Sequence, residues 1–597
     1  MKKTINYCLF ILFILSTSCS DFLERPPLDR IEDQPAFWNS ENNVRNQLIG
    51  LYTAYFPGYG EGWQHADIFR GSNVSEWTDD LAQESATVFT LNTPTTAVDA
   101  GWSFVRIRRI NIIIARTSTS TLPEEVKNHL LGVARFFRAM EYSAQVQKFG
   151  DFPWYDKEIL SNDNAQLYKL RTPRNEVMQN VLDDLIFAQE HVMQRDGIDK
   201  LSVNNDVVQA YTSKIMLFEG TWQKYRENDN TLAKKYLQVA KEASNSIIES
   251  NKYQIINSYK SITSSLSLVG NSEMILFREY VFGIKTHSQM SWQIMEPQIS
   301  SPSKDLIESY LSSNGLPIHQ ANNGVYQGDK MFASEIAHRD PRFYGNIDTV
   351  SLRLKSLTAN YAVSGYLSHR FVDQKIALTP EGQNAYNATD APVMRYAEVL
   401  LNQIETLAEL AELGEASLQQ SDFDKTINML RSRPGIVMPH LSISGSDLSV
   451  NGIVISDPER LSKNNEGQEV SSILWEIRRE RRVEMVYEGG RFNDLRRWGK
   501  LDYADMKLNK KLNLGAWIDI DAYIATISPP LSASEIEKFK ESTNLDRPGT
   551  IGYIKPITDE TLMRTAASKD YLYPVPMDQI KLYEDQGVTL TQNPGWN

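Results

Sequence analysis

The chain has 597 residues, with 75 acidic against 62 basic side chains and a formal net charge of −13. That balance excludes nucleic acid as the main ligand, since phosphate contacts need a basic face, and it excludes adsorption to anionic lipid by charge alone. A chain of this length buries about three quarters of its unfolded surface and needs no disulfide or metal to hold a core; its two cysteines are Cys8 and Cys19.

Residues 1–18 read as a secretory signal peptide: Lys2 and Lys3 open it, an apolar run covers 7–15, and Ser16, Thr17 and Ser18 close it. The run is too short to span a bilayer, which takes about 20 apolar residues. Cleavage before Cys19 leaves one cysteine, at the first position of the mature chain, with no partner inside it. Ordinary cleavage nearby, with a spare thiol, is the alternative. Residues 19–40 read as that cysteine and a polar tether carrying Pro26 and Pro27.

From about Glu41 the pattern turns helical. In 122–148, Leu130, Val133, Ala134, Phe137, Met140 and Ala144 form an apolar stripe at three- and four-residue spacing. Pro123 suits the start of that helix and Gly150 its end. Similar stretches over 101–118, 174–194, 204–226, 231–250, 392–413 and 422–432 follow one another across short turns, which predicts helical hairpins. Between 251 and 391 only 303–312 reads as a helix. That block and those at 436–470 and 500–560 hold enough Trp, Tyr and Ile to be ordered loops over a helical scaffold.

The strongest internal signal is 476–498, EIRRERRVEMVYEGGRFNDLRRW. Glu480, Glu484 and Glu488 fall on one helical face, where like charges repel unless cations meet them. Arg481, Arg491, Arg496 and Arg497 are the nearby cations, and Asp494 lies among them. Clustered carboxylates can do acid–base work or hold a metal. The expectation here is a partly buried Arg–carboxylate network of Glu480, Glu484, Glu488, Arg491, Asp494 and Arg496 that fixes a helix–turn–helix corner.

The segment ERRVEMVYEGGRFNDLRRWGK closely resembles the C-terminal signature of the SusD/RagB family of outer-membrane nutrient-binding lipoproteins. GVARFFRAMEYSAQVQKFGDFPW (132–154), PSKDLIESYLSSNG (302–315), RDPRF (339–343), RYAEVLLNQIETLAELAELG (395–414), INMLRSRPG (427–435) and the C-terminal YPVPMDQIKLYEDQGVTLTQNPGWN (573–597) are similar to family motifs and run in family order. The resemblance implies a mainly α fold, with tetratricopeptide-like helix pairs under long irregular loops. It implies one globular unit over 41–597, with an N-terminal part to about 250 and a C-terminal part beyond. It also implies a lipid on Cys19 and, from Asp21 and Glu24 behind it, display on the outside of the outer membrane. The implied partner is a SusC-like TonB-dependent transporter, to which family members pass oligosaccharides or, in some branches, peptides.

The matching motifs are scaffold, so the site is argued from residue chemistry. Sugar C–H faces stack on Trp and Tyr, while amides, carboxylates and Arg meet hydroxyls. The loop 55–102 carries Tyr55, Tyr59, Trp63, Arg70, Asn73, Trp77, Asp79, Asp80 and Trp102, with Gly58, Gly60, Gly62 and Gly71 to bend it; the loop before 302 carries Tyr280, His287 and Trp292. In the family, these regions help line known sugar pockets. The ligand candidates are Trp77, Trp63, Tyr59, Arg70, Asn73, Asp79, Trp292 and Tyr280, with Trp77 foremost because polar neighbours surround it. Each aromatic reads alternatively as core, and Asp79 and Asp80 as a helix cap. No metalloprotease, hydrolase-elbow or phosphate-loop template occurs, and no catalytic residue, cofactor or metal is expected. The expected function is capture of a nutrient glycan without catalysis. Its rivals are peptide capture, a surface glycoside hydrolase and a gate that contacts no ligand.

Overall fold

The computed structural model describes residues 34–63, 77–85, 94–160, 162–463 and 469–596. The signal peptide, Cys19, Asp21, Glu24, Arg70 and Asn73 lie outside the described residues.

The fold is mainly α. Its scaffold is α1 (Glu41–Tyr55), α2 (Val105–Ser118), α3 (Glu124–Phe149), α4 (Arg174–His191), α5 (Asn205–Trp222), α6 (Asn230–Glu249) and α7 (Tyr396–Glu412). α3 packs on α4 and α5 on α6, and α7 lies against α6 and α5. α5 and α6 are joined by a short turn, while the longer segment 150–173 links α3 to α4; both pairs are helix pairs of the kind the periodicity predicted. Glu124 and Glu125 sit in the first turn of α3, where the helix dipole favours acids. Gly150, at φ 74°, ends it. The stripe is wider than the spacing implied. Phe136, Ala139, Tyr142, Val146 and Phe149 are buried along with Leu130, Val133, Ala134 and Phe137, while Ala144 is exposed. A helix covered by neighbours on several sides loses its polar face.

Three boundaries differ from the expected ones. Residues 391–395 form a strand that pairs antiparallel with Met274–Arg278, so α7 starts at Tyr396. The stretch 422–432 splits into Gln420–Asp424 and Ile427–Arg431 around Thr426, whose backbone is not helical. α5 continues as a π-helical turn, Gln223–Glu227, stopped by Asn228 at φ 56°. Sheets are small and serve as stitches. β1 (Leu81–Gln83) pairs antiparallel with β3 (Ser300–Pro302), and β2 (Met274–Arg278) with β4 (Ala391–Arg395). The main apolar core runs from Trp38 to Leu590 and draws on both halves of the chain.

At its C-terminal side the scaffold meets α8 (Ser472–Glu484) and α9 (Arg491–Arg497), joined through Tyr487 and Gly489, which have positive φ. Here the acidic stack is buried. Glu480 accepts from Arg342 at 2.6 Å and Arg431 at 2.9 Å. Glu484 accepts from Arg395 and Arg433, each at 2.8 Å, and from Arg342 at 3.2 Å. Glu488, in the turn after α8, pairs with Arg370 and Arg395, both at 2.8 Å. Glu273 closes the web, pairing with Arg433 and, at 2.9 Å, with Arg395.

The cations are not the ones nearest in sequence, which corrects the expectation for the local arginines. Arg491 grips Asp79 at 2.7 Å, and Arg482 pairs with Asp80 at 2.7 Å and Asp305 at 2.8 Å. Arg481 and Arg497 share Asp494 at 3.0 and 2.9 Å. Arg496 meets no carboxylate and donates to the carbonyls of Tyr571 and Gln147. Burial alone would raise the Glu484 carboxyl, but Arg433, Arg395 and Arg342 outweigh it and hold its pKa at about 2.

Two outcomes are expected. A Cβ on Gly220 would stand 2.6 Å from Leu237 Cγ and 3.1 Å from the Leu237 backbone nitrogen, where α5 crosses α6. Gly220→Ala should therefore lower stability by about 1–3 kcal/mol in denaturant titration. Glu484 has a depressed folded pKa, so its stabilisation is present above its unfolded value of 4.5 and is lost as pH falls towards about 2. Glu484→Gln should cost about 3–5 kcal/mol at neutral pH. It should also flatten stability against pH across that acid window; an unchanged acid limb would refute the assignment.

Candidate functional site

Three segments come together beyond the ends of β2 and β4. The Tyr59 amide donates to the Tyr280 hydroxyl at 2.9 Å, and that hydroxyl donates to Gly60 O at 2.8 Å. The Gly62 amide donates to Thr286 O at 2.8 Å. His287 and Asn387 exchange two backbone hydrogen bonds, at 2.9 and 3.0 Å. Arg278, the last residue of β2, donates to Pro57 O and to the Glu61 carboxylate. Gly58 sits at φ 57°, and a Cβ there would meet Arg278 Cδ at 2.8 Å, so this turn needs glycine. Segments 57–63, 280–287 and 384–387 are thus sewn side by side.

What faces water on these segments differs from the expected set. Tyr59 and Tyr280 are buried, with Tyr59 ring centroids 5.0 Å from His287 and 5.4 Å from Phe371. They support the surface from beneath and offer no open face. Burial pushes the fully covered His287 imidazole down to about 3, so it is neutral at physiological pH. Trp63, by contrast, is 62% exposed. The other two segments also carry exposed rings, Phe282, 47% exposed at the tip of the turn bridged by Val281 and Lys285, and Tyr386, 56% exposed. The Phe282 and Tyr386 rings lie 6.2 Å apart. Glu61, 3.4 Å from Lys285, and Lys285 itself supply charge beside them.

Other candidates lie elsewhere. Trp77 is half-buried, edge-on to Phe492 at 5.6 Å and near Tyr573 at 6.2 Å, in a seam between α9 and the C-terminal segment. Polar neighbours in sequence hid that contact, which is made with residues more than 400 positions away. Trp292 is half-buried in the short helix Gln289–Met295. Trp102 is core, 4.7 Å from Phe152 and 4.9 Å from Phe149. Tyr55 stacks on Phe137 at 5.0 Å and donates to Glu141 at 2.8 Å. Asp79 is fully buried, both its carboxylate oxygens accepting from Arg491, so it neither meets solvent nor caps a helix.

Phe282 and Tyr386 were missed by the sequence reading. Phe282 precedes Gly283 and Tyr386 precedes Asn387, turn residues that put both rings in loops, and that was the available signal. The carboxylates of Glu308 and Glu459 and the His319 ring also converge. Lys511 Nζ lies 2.5 Å from Glu308 and 2.7 Å from Glu459, an ammonium in the place a metal would take.

A family model described as the SusD family matches residues 353–596. SusD-like protein P25 of Formosa agariphila is 25% identical over 237 residues, 37% of this chain and 44% of that relative, so the match spans less than half of its length. SusD-like protein P2 of the same organism is 21% identical over 516 residues, 83% of this chain and 91% of the relative. Among solved structures, a SusD-like carbohydrate binding protein from Bacteroides fragilis superposes with a TM-score of 0.65 at 18% identity, covering 92% of this chain and 99% of that one. The helix-pair scaffold has the fold of SusD-like proteins, and residues 353–596 match the SusD family, as the C-terminal motifs led us to expect.

Proposed function

We propose that this protein captures a nutrient glycan at the cell surface and hands it to a SusC-like TonB-dependent transporter, without catalysis. The observation that carries the reading is the sewn surface of Trp63, Phe282 and Tyr386. Exposed flat rings held on fixed loops stack against sugar C–H faces, and the adjoining Glu61, Lys285 and loop amides meet hydroxyls. The rings are set before ligand arrives, so less ordering entropy is lost on binding. The B. fragilis structural relative is described as carbohydrate binding, which supports the same ligand class.

The proposed location is the outer face of the outer membrane, with a lipid on Cys19 as the anchor. No helix among the described residues is long and apolar enough to cross a membrane. Peptide capture is a second reading, favoured by one observation. Ile284 and Leu378, each 84% exposed, belong to the same turn and to a neighbouring one, and aliphatic side chains suit apolar peptide residues better than sugar rings.

Titration calorimetry of the mature chain against plant, microbial and host glycans, with peptide pools alongside, tests the reading. One glycan class should bind, and Trp63→Ala and Tyr386→Ala should each weaken it by about 0.5–1.5 kcal/mol, roughly two- to tenfold, with the circular dichroism spectrum unchanged. Intact affinity in both variants would remove this surface from the site, and binding of peptides alone would select the second reading. Separately, Cys19→Ser should move the protein from the membrane to the soluble fraction of cells; retention in the membrane would defeat the lipid anchor.

A further inference from the structure

A cavity of about 60 Å3 lies remote in sequence from the sewn loops, between the helix Lys304–Ser309, the helix Pro458–Ser462, α8 and the turn Lys510–Asn513. It has room for a few waters or one small ion. Its floor is aromatic, with Trp475 and Tyr503 rings 6.2 Å apart and Trp498 alongside. Lys463, paired with Asp305, and His319, 2.9 Å from Glu308, also line it. Apolar walls with a few converging polar groups are the composition of ligand pockets.

Two features set the chemistry of an occupant. The first is unmet donors. Tyr503 is buried and its hydroxyl has no partner among the described residues. Arg478 and Arg479 bind Glu409 and Asp457 through their terminal nitrogens, yet among the described residues both keep a buried Nε–H with no acceptor. Arginine offers donors only, and a buried donor left unmet is costly. The second is charge. Six cationic side chains line the cavity against five carboxylates. A metal ion is disfavoured there, because Lys511 already neutralises the Glu308 and Glu459 carboxylates.

We infer that this cavity binds a small oxyanion, either a free inorganic ion or the acidic group of a sugar, at a site separate from the glycan surface. The oxyanion accepts from Tyr503, Arg478 and Arg479. This does not depend on the glycan reading, since Trp63 and Tyr386 belong to other segments.

The test is calorimetry of the mature chain at fixed ionic strength with sulfate, phosphate and glucuronate, and glucose as the neutral control. Saturable one-site binding of at least one anion, and none of glucose, is expected. Binding of the inorganic ions alone assigns a free ion, and binding of glucuronate alone assigns the acid group of a sugar. Tyr503→Phe deletes only the unmet hydroxyl, so its melting temperature should stay level while anion affinity falls about tenfold; Trp63→Ala should leave that affinity intact. Should Tyr503→Phe not fold, Ser309→Phe, which fills the cavity from its edge, should abolish binding. No saturable heat with any of the three anions, or undiminished affinity in the foldable variant, overturns the inference.

Discussion

The buried pairing of Glu480, Glu484 and Glu488 with arginines from distant segments is the constraint on which the rest of this structure hangs. Arg342, Arg370, Arg395, Arg431 and Arg433 come from four places in the chain, and all are fully buried. Taking ions out of water is expensive, and such a web repays the cost only when every charge meets its partner at hydrogen-bonding distance. Its net contribution to stability is therefore modest, while a misplaced segment is heavily penalised. Chains of fixed charge thus specify which loop lies against which helix, where an apolar patch would accept several arrangements. Glu484 is the clearest case, since three guanidiniums converge on it and outweigh its burial.

That specification reaches the surface by a short path. Arg395 ends β4, and its grip on Glu484 and Glu488 sets the position of that strand. β4 holds β2 in register, and β2 ends at Arg278, which clamps the turn carrying Pro57 and Glu61. On the other side, Arg370 is bound by Glu488, and the next residue, Phe371, packs under Tyr59. The loops that present Trp63, Phe282 and Tyr386 are therefore extensions of the web, held from below by Tyr59, Tyr280 and His287.

The sequence was most legible where structure is local. The 3.6-residue recurrence placed α3, α4, α5 and α6 within a few residues, because their boundaries are set by nearby caps such as Gly150 and Asn204. The acidic spacing of 480–488 showed that cations had to meet those side chains. It did not show which ones, since the pairing spans up to 142 residues and the adjacent Arg481 and Arg482 turn to Asp494, Asp80 and Asp305. Alternation was too short to distinguish β4 from the start of a helix. Loop aromatics were least legible. Tyr59 and Trp63 are four residues apart and share a glycine-rich segment, yet one is buried and the other open. The difference lies in what packs against each one: Tyr280, His287 and Phe371 enclose the first.

A division of labour follows from this arrangement. The exposed rings of Trp63, Phe282 and Tyr386 add little to the core, because much of their surface stays in water after folding. The turns beneath them are tied by backbone hydrogen bonds and by glycine geometry, which do not depend on the identity of the outward side chain. Surface side chains there can be exchanged at small cost in stability, usually within about 0.5 kcal/mol, while the charged web cannot lose a partner without stranding a buried ion. One scaffold can in this way carry different stacking surfaces, and ligand choice is decided by the few positions on which folding does not rely.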